Sequence, residues 1–315
     1  MTYSRYDQPK FRDLQARLAA ENTYDFIMFD HVHTTHAMEL FPNAVRVVDT
    51  QNNDITMYKR WAENRPEPFS RLFGNLQASL CRRFLQRTLP KLDATFAVSQ
   101  KEADEFGALA NGINALAVPN GVDTDYFSFG TGEREPETLL FLGNMGWLPN
   151  ADGCEFLLRD IMPEIQKRRP NVHLVLAGHE PRPNVMALAG PGVEVTGFVP
   201  DVRTYLHSAT VFIVPLRIGA GTRLKILEAM AAGIPVVSTS VGCEGIAGED
   251  GRHLLVRDDP KAFAEAVLDL IEHPEKRQKL IDAAHGLVSS TYEWRIITRR
   301  MVEEIDALLA ARRAT

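Results

Sequence analysis

Arg223, Lys225 and Glu228 follow a glycine-rich run, Arg217-Ile-Gly-Ala-Gly-Thr222, and their types suit one ligand. The two cations neutralise an anion such as phosphate. The carboxylate accepts hydrogen bonds from vicinal hydroxyls of the kind a ribose presents. What must position them is legible on either side. Ala209 to Val214 is an apolar, β-branched run closed by Pro215, as in a buried parallel strand. Thr222 is the expected N-cap of a helix on which Leu224, Leu227 and Ala231 recur at helical spacing. Gly233 and Pro235 stop that helix, and Val236, Val237 and Thr239 begin the next strand. Such a unit aims bare backbone N–H groups and the positive end of a helix dipole at an anion. Cations in the first turn oppose that dipole, and a bound anion would offset the cost. Glu228 has Ile226, Leu227, Ala229 and Met230 for neighbours, a setting in which a carboxylate needs donors. The plain alternative is a surface Glu with solvated Arg and Lys beside it, and spacing alone leaves both open.

Three strings carry a family resemblance. GAGTRLKILEAMAAGIPVVST at Gly219–Thr239, followed by GCEGI, resembles the donor-binding segment of family 4 glycosyltransferases, and VPNGVDTDYF and FLGNMGWLPNADGCEFLL precede it in the family's order. The resemblance implies an α/β chain of GT-B type, with two Rossmann-like domains facing a cleft. It also implies transfer of a sugar from a nucleotide-diphosphate donor to an acceptor hydroxyl with retention. The donor would be held by Gly143, Asn144, His179, Gly197, Phe198, Val199, Gly221, Thr222, Arg223, Lys225, Leu227 and Glu228. Gln51, Arg223 and Lys225 are the catalytic candidates. The chain departs from the family pattern at three points. Gln51 stands where family members often carry a His, and Gln cannot titrate. The loop with Asn144 and Trp147 lacks the cations commonly found near the diphosphate, which leaves that duty to Arg223 and Lys225. Ala220 replaces a second Glu that touches the donor sugar.

Composition narrows the class. A chain of 315 residues exceeds the usual single core, and 45% hydrophobic with 24% charged residues describes a soluble globular protein. Net charge of −6 gives no case for nucleic acid. Cys81, Cys154 and Cys243 are few and widely spaced, implying a reducing compartment and no metal cluster. The opening MTYSRYDQPK is not a signal peptide by pattern, and no run has the length of a membrane span. A cytoplasmic protein is expected, reaching at most the inner face of a membrane. Neither cofactor nor metal is expected, the nucleotide sugar being substrate. His31, His33 and His36 follow a strand, but no nearby carboxylates complete a metal site with them.

In chain order, 1–130 reads as an N-terminal, acceptor-side domain, 131–290 as the donor domain, and 291–315 as a helix crossing back to the first, with Trp294 as its anchor. The first domain has strands near Tyr24–Phe29, Ala44–Val48, Asp93–Val98 and Ala115–Pro119, fewer than a Rossmann-like half carries. A shortened first domain, through truncation or as a natural remnant, is therefore expected. Residues 57–92 form a mostly helical stretch broken at Pro66–Pro68. It is rich in Lys and Arg, with Trp61, Phe69, Leu72, Phe73, Leu80 and Phe84 interleaved. That pattern fits an anionic membrane face or a lipid-phosphate acceptor, and equally an ordinary amphipathic helix pair.

Function then divides by class. The leading expectation is a hexosyl-type glycosyltransferase of cell-surface polysaccharide or glycolipid synthesis, acting on a saccharide or lipid-linked acceptor. The others are a nucleotide-sugar-binding remnant without turnover, and an epimerase of the same fold.

Overall fold

Thr138–Leu142 (β5) is buried at every residue, which only a strand covered on both faces allows. The computed structural model describes residues 8–130, 132 and 134–314. Met1–Asp7, most of the stretch read as lacking a signal peptide, and Thr131 and Glu133 at the start of the expected donor domain lie outside them. Two units result. One comprises 1–119, 220–222 and 297–315, the other 120–219 and 223–296.

In the first unit, Phe26–Asp30 (β1), Val45–Thr50 (β2), Ala94–Ala97 (β3) and Ala115–Ala117 (β4) form a parallel sheet in sequential order. Pro9–Glu21 (α1) precedes it, and Asp54–Glu63 (α2), Pro68–Thr88 (α3) and Gln100–Gly107 (α4) connect its strands. The helical stretch expected over 57–92, with its break at Pro66–Pro68, is α2 and α3, packed against each other. Asn53 and Ser99 supply the N-caps of α2 and α4, their side-chain oxygens accepting from the first-turn N–H groups. One face of the sheet packs under α3 and α4 through Val48, Ala97, Leu85 and Phe106. The other, through Val45, Val47, Ala94 and Phe96, lies against Met301, Ile305, Leu308 and Leu309.

Those last residues belong to Trp294–Arg313, the final helix, which begins at Trp294 rather than at 291. Its first residues through Ile296 cluster with the second unit, where Trp294 covers Gly121 and stays partly exposed.

The second unit holds six parallel strands. His173–Ala177 (β6) and Val193–Gly197 (β7) follow β5 on one side. Val211–Val214 (β8), Val236–Ser238 (β9) and Leu255–Val256 (β10) extend the other, in the order β10-β9-β8-β5-β6-β7. The order reverses between β5 and β8, and the crevice at the carboxyl ends of such a pair is where parallel sheets bind ligands. Leu148–Phe156 (α5), Met162–Gln166 (α6), Pro183–Met186 (α7), Arg203–Ser208 (α8), Leu224–Ala231 (α9), Pro260–Glu272 (α10) and Pro274–Leu287 (α11) complete the unit, the last helix being α12. After α10 stands Pro274, a residue type that often marks a helix stop. It is instead the first residue of a new helix, where a missing N–H costs nothing.

Candidate functional site

The loops after β5 and β8 flank the reversal point. α9 ends in a Schellman arrangement, with Gly233 N–H donating to Met230 and Ile234 N–H to Ala229, so its length and direction are fixed. Its start differs from expectation. Arg223, not Thr222, is the N-cap, without a side-chain cap bond, and the Thr222 hydroxyl donates to the Val98 carbonyl at 2.8 Å. Ala220–Thr222 group with the first unit, where the Gly221 N–H donates to a Glu102 carboxylate oxygen at 2.8 Å. Neither group is therefore a bare donor of the kind the loop pattern suggested. The physical reason is long-range: a carboxylate and a carbonyl distant in sequence take the bonds.

Within the second unit a cavity of about 230 Å³ opens at the crevice. Gly143, Asn144, His179, Phe198, Val199, Lys225 and Glu228 line it, so seven of the residues singled out from sequence meet there. Lys225 and Glu228 come from one face of α9, three residues apart. The Lys225 ammonium donates to Asn150 Oδ1 at 2.8 Å and lies 4.4 Å from the centre of the Phe141 ring. Burial first, and then the Arg223 charge, pull its pKa down to about 7. Burial pushes the Glu228 carboxyl above the usual range, and Lys225 partly opposes this. The pair suits a ligand bearing both negative charge and hydroxyl donors.

The wall facing α9 depends on close backbone approach. A Cβ on Gly143 would fall 2.8 Å from Lys225 Nζ and strike Asn150 as well. Gly178 has φ of 146°, and a Cβ there would overlap the Gly143 carbonyl. Around them the two turns are stitched together. Met145 N–H donates to the His179 carbonyl at 3.0 Å, Asn144 Nδ2 to Glu180 at 3.2 Å, and Arg182 to the Gly146 carbonyl at 2.9 Å. Phe198, 73% exposed, and His179 stand edge-to-face at the rim, 6.4 Å between ring centres. Gly197, with positive φ, turns the chain into Phe198, and its carbonyl accepts from Gly178 N–H.

The other candidates lie elsewhere. Leu227 is fully buried, and its side chain belongs to the core rather than the cavity. Arg223 is 4% exposed, its guanidinium so close to Gly219 that a Cβ there would collide with it. Gln51 sits in the first unit at the end of β2 and donates to Asp49 at 2.6 Å. Burial, and then the Asp30 charge, push Asp49 up to about 6. Two residues were missed from sequence. Asn150 joins Lys225 to the Asn144 carbonyl, and its only signal was its place two residues into the WLPN helix start. Asp152, buried, holds Arg217 in a two-pronged ion pair beneath the loop after β8. Among the described residues no group of three or more His, Cys, Asp or Glu is placed to hold a metal ion, the three histidines of the segment after β1 included.

Comparison with known proteins bears on what this cavity is. The family described as Glycosyl transferases group 1 matches residues 136–273, the stretch that carries the whole cavity. Over that stretch the chain resembles the family 4 glycosyltransferases. Phosphatidyl-myo-inositol mannosyltransferase of Mycobacterium tuberculosis is 28% identical to it over 214 residues, 63% of this chain and 56% of that protein. The chain thus spans little more than half the length of that relative. Among solved structures, sucrose-phosphate synthase from Thermosynechococcus elongatus superposes with a TM-score of 0.78 at 18% identity, covering 96% of this chain and 78% of that one. The Anabaena protein HepE, solved in complex with UDP-glucose, gives 0.68 at 14% identity, covering 94% and 82%. The fold of the chain is of the GT-B type.

Proposed function

We propose that the protein is a retaining, metal-independent glycosyltransferase that moves a hexosyl group from a nucleotide-diphosphate sugar to a hydroxyl of a saccharide or lipid-linked acceptor in cell-surface glycan or glycolipid synthesis. The observation that carries the reading is the cavity of the second unit, where Lys225 and Glu228 on one helix face the Gly143 turn inside the family-matched stretch. A diphosphate placed by Lys225 leaves Glu228, one helical turn on, to take the ribose hydroxyls. Lys225, together with the dipole of α9, offsets the charge that develops on the leaving diphosphate. Phe198 and His179 at the rim fit a base. A lipid-linked acceptor is in keeping with the mannosyltransferase relative, whose name includes a phosphatidyl lipid. A nucleotide donor is in keeping with HepE, solved with UDP-glucose.

The test is calorimetry with UDP and GDP, followed by transfer of a labelled sugar with and without EDTA. Glu228→Gln should weaken binding of whichever nucleotide the parent binds by about 1.5 kcal/mol, roughly tenfold, the scale of a hydrogen bond to a charged group. Unchanged affinity would take Glu228 out of the site. Transfer should persist in EDTA, and its loss there with rescue by Mg²⁺ or Mn²⁺ would overturn the assignment of the leaving-group charge to Lys225 and α9. Donor binding with no transfer to any acceptor would instead favour a sugar-nucleotide-binding module.

A further inference from the structure

α3 has two faces. Gly74, Ala78, Cys81 and Leu85 are buried toward the unit. On the opposite side Phe69, Leu72, Phe73 and Leu76 are 80%, 67%, 46% and 53% exposed. Their spacing of three, four and seven residues puts them in one stripe. The stripe continues along the same face through half-buried Leu80 to Arg83 and Arg87, both exposed. α3 contains Arg71, Arg82, Arg83 and Arg87 and not one Asp or Glu. Among the described residues none of these four arginines is in an ion pair. A helix of this length runs about 30 Å, and its outer stripe is apolar over the first half and cationic over the second.

We infer that the outer face of α3 docks on an anionic lipid bilayer, with the Phe69–Leu76 stripe seated among the acyl-chain ends and Arg83 and Arg87 among the headgroups. The charge pattern chooses the occupant. A protein-interface core is depleted in charge, and a protein partner would have to supply carboxylates opposite each Arg beyond the apolar patch. An anionic headgroup layer offers uniform negative charge beside an apolar interior, which is what a stripe that turns from apolar to cationic along one face matches. Large aromatic and aliphatic side chains left this exposed in a run are otherwise unfavourable on a soluble surface. The docking does not depend on glycosyl transfer and can be tested without it.

The experiment is co-sedimentation of the full chain with phosphatidylcholine vesicles, plain or containing phosphatidylglycerol. Binding is expected only to the anionic vesicles, weakening as salt is raised. Arg83→Gln and Arg87→Gln should each lower partitioning about fivefold, and Phe69→Ser or Leu72→Ser about tenfold or more. All four positions are exposed, so the variants should keep the parent's circular dichroism and its nucleotide affinity. Equal binding to both vesicle types, or variants that bind like the parent, would overturn the inference. So would a dimer, seen by light scattering, that Phe69→Ser dissolves while vesicle binding stays absent.

Discussion

Replacing Gly178 by alanine is expected to abolish nucleotide binding while leaving the first unit folded. The backbone at Gly178 has φ of 146°, a conformation that residues with a Cβ rarely adopt. The new methyl would also overlap the carbonyl of Gly143, which forms the opposite side of the same wall. Overpacking and backbone strain together amount to about 2–6 kcal/mol, and both fall on the two turns that shape the cavity. The Gly178 N–H also donates to the Gly197 carbonyl, so a shift there moves the turn bearing Phe198. Calorimetry with UDP and GDP, alongside hydrogen exchange over residues 8–119, reads the outcome. A dissociation constant within a few-fold of the parent's would mean that the wall is free to relax, and that the cavity's shape does not govern binding.

Lys225 should give the second large effect, and one that depends on pH. With its pKa held near 7 by burial, the amine of the ligand-free protein is charged at pH 6 and mostly neutral by pH 8. A diphosphate favours the charged form, so above pH 7 binding must be accompanied by proton uptake, and affinity should fall by up to about tenfold per pH unit. The sign is set by the amine, because a terminal phosphate with its last pKa near 6 has already lost its proton. Calorimetry in buffers of different ionisation enthalpy should show close to one proton taken up at pH 8 and little at pH 6. Lys225→Met should cost about 3 kcal/mol of affinity at pH 6, the upper range for a hydrogen bond between charged partners, and should flatten the profile. A parent affinity constant from pH 6 to 8.5 would remove Lys225 from the diphosphate.

Much of the second unit was legible because its strands are runs without polar interruption. β5 and β8 could only be buried strands, and α9 carried its apolar positions at helical spacing. Their neighbours in the sheet were not legible, since parallel strands of like composition carry no mark of who pairs with whom. Local rules failed where a distant partner decided. Thr222 is a good N-cap by type, yet its hydroxyl is bound to a carbonyl 124 positions earlier. The need for glycine at Gly178 has no local mark, since it arises because Gly143 comes alongside it. Leu227 followed the motif into the candidate site but faces the core, because every third or fourth position of α9 must do so. Asn150 was hidden by being an ordinary polar residue in a helix start. The stretch 57–92 showed its charge and its aromatics plainly, whereas which face of α3 would be left outside depended on where α2 and the sheet packed.

The order in which the chain is made interacts with how the first unit is closed. One face of its sheet, lined by Val45, Val47, Ala94 and Phe96, is covered by Met301, Ile305, Leu308 and Leu309 from α12. Those covering residues leave the ribosome some 200 positions after Phe96, which at 5–20 residues per second is about 10–40 s later. Throughout that interval the four strands can pair, and α2 and α3 can pack, but an apolar sheet face stays open to water and to other nascent chains. The second unit, formed by residues made in between, can finish its sheet first. The first unit is therefore begun first and closed last, and its completion is tied to arrival of the final helix.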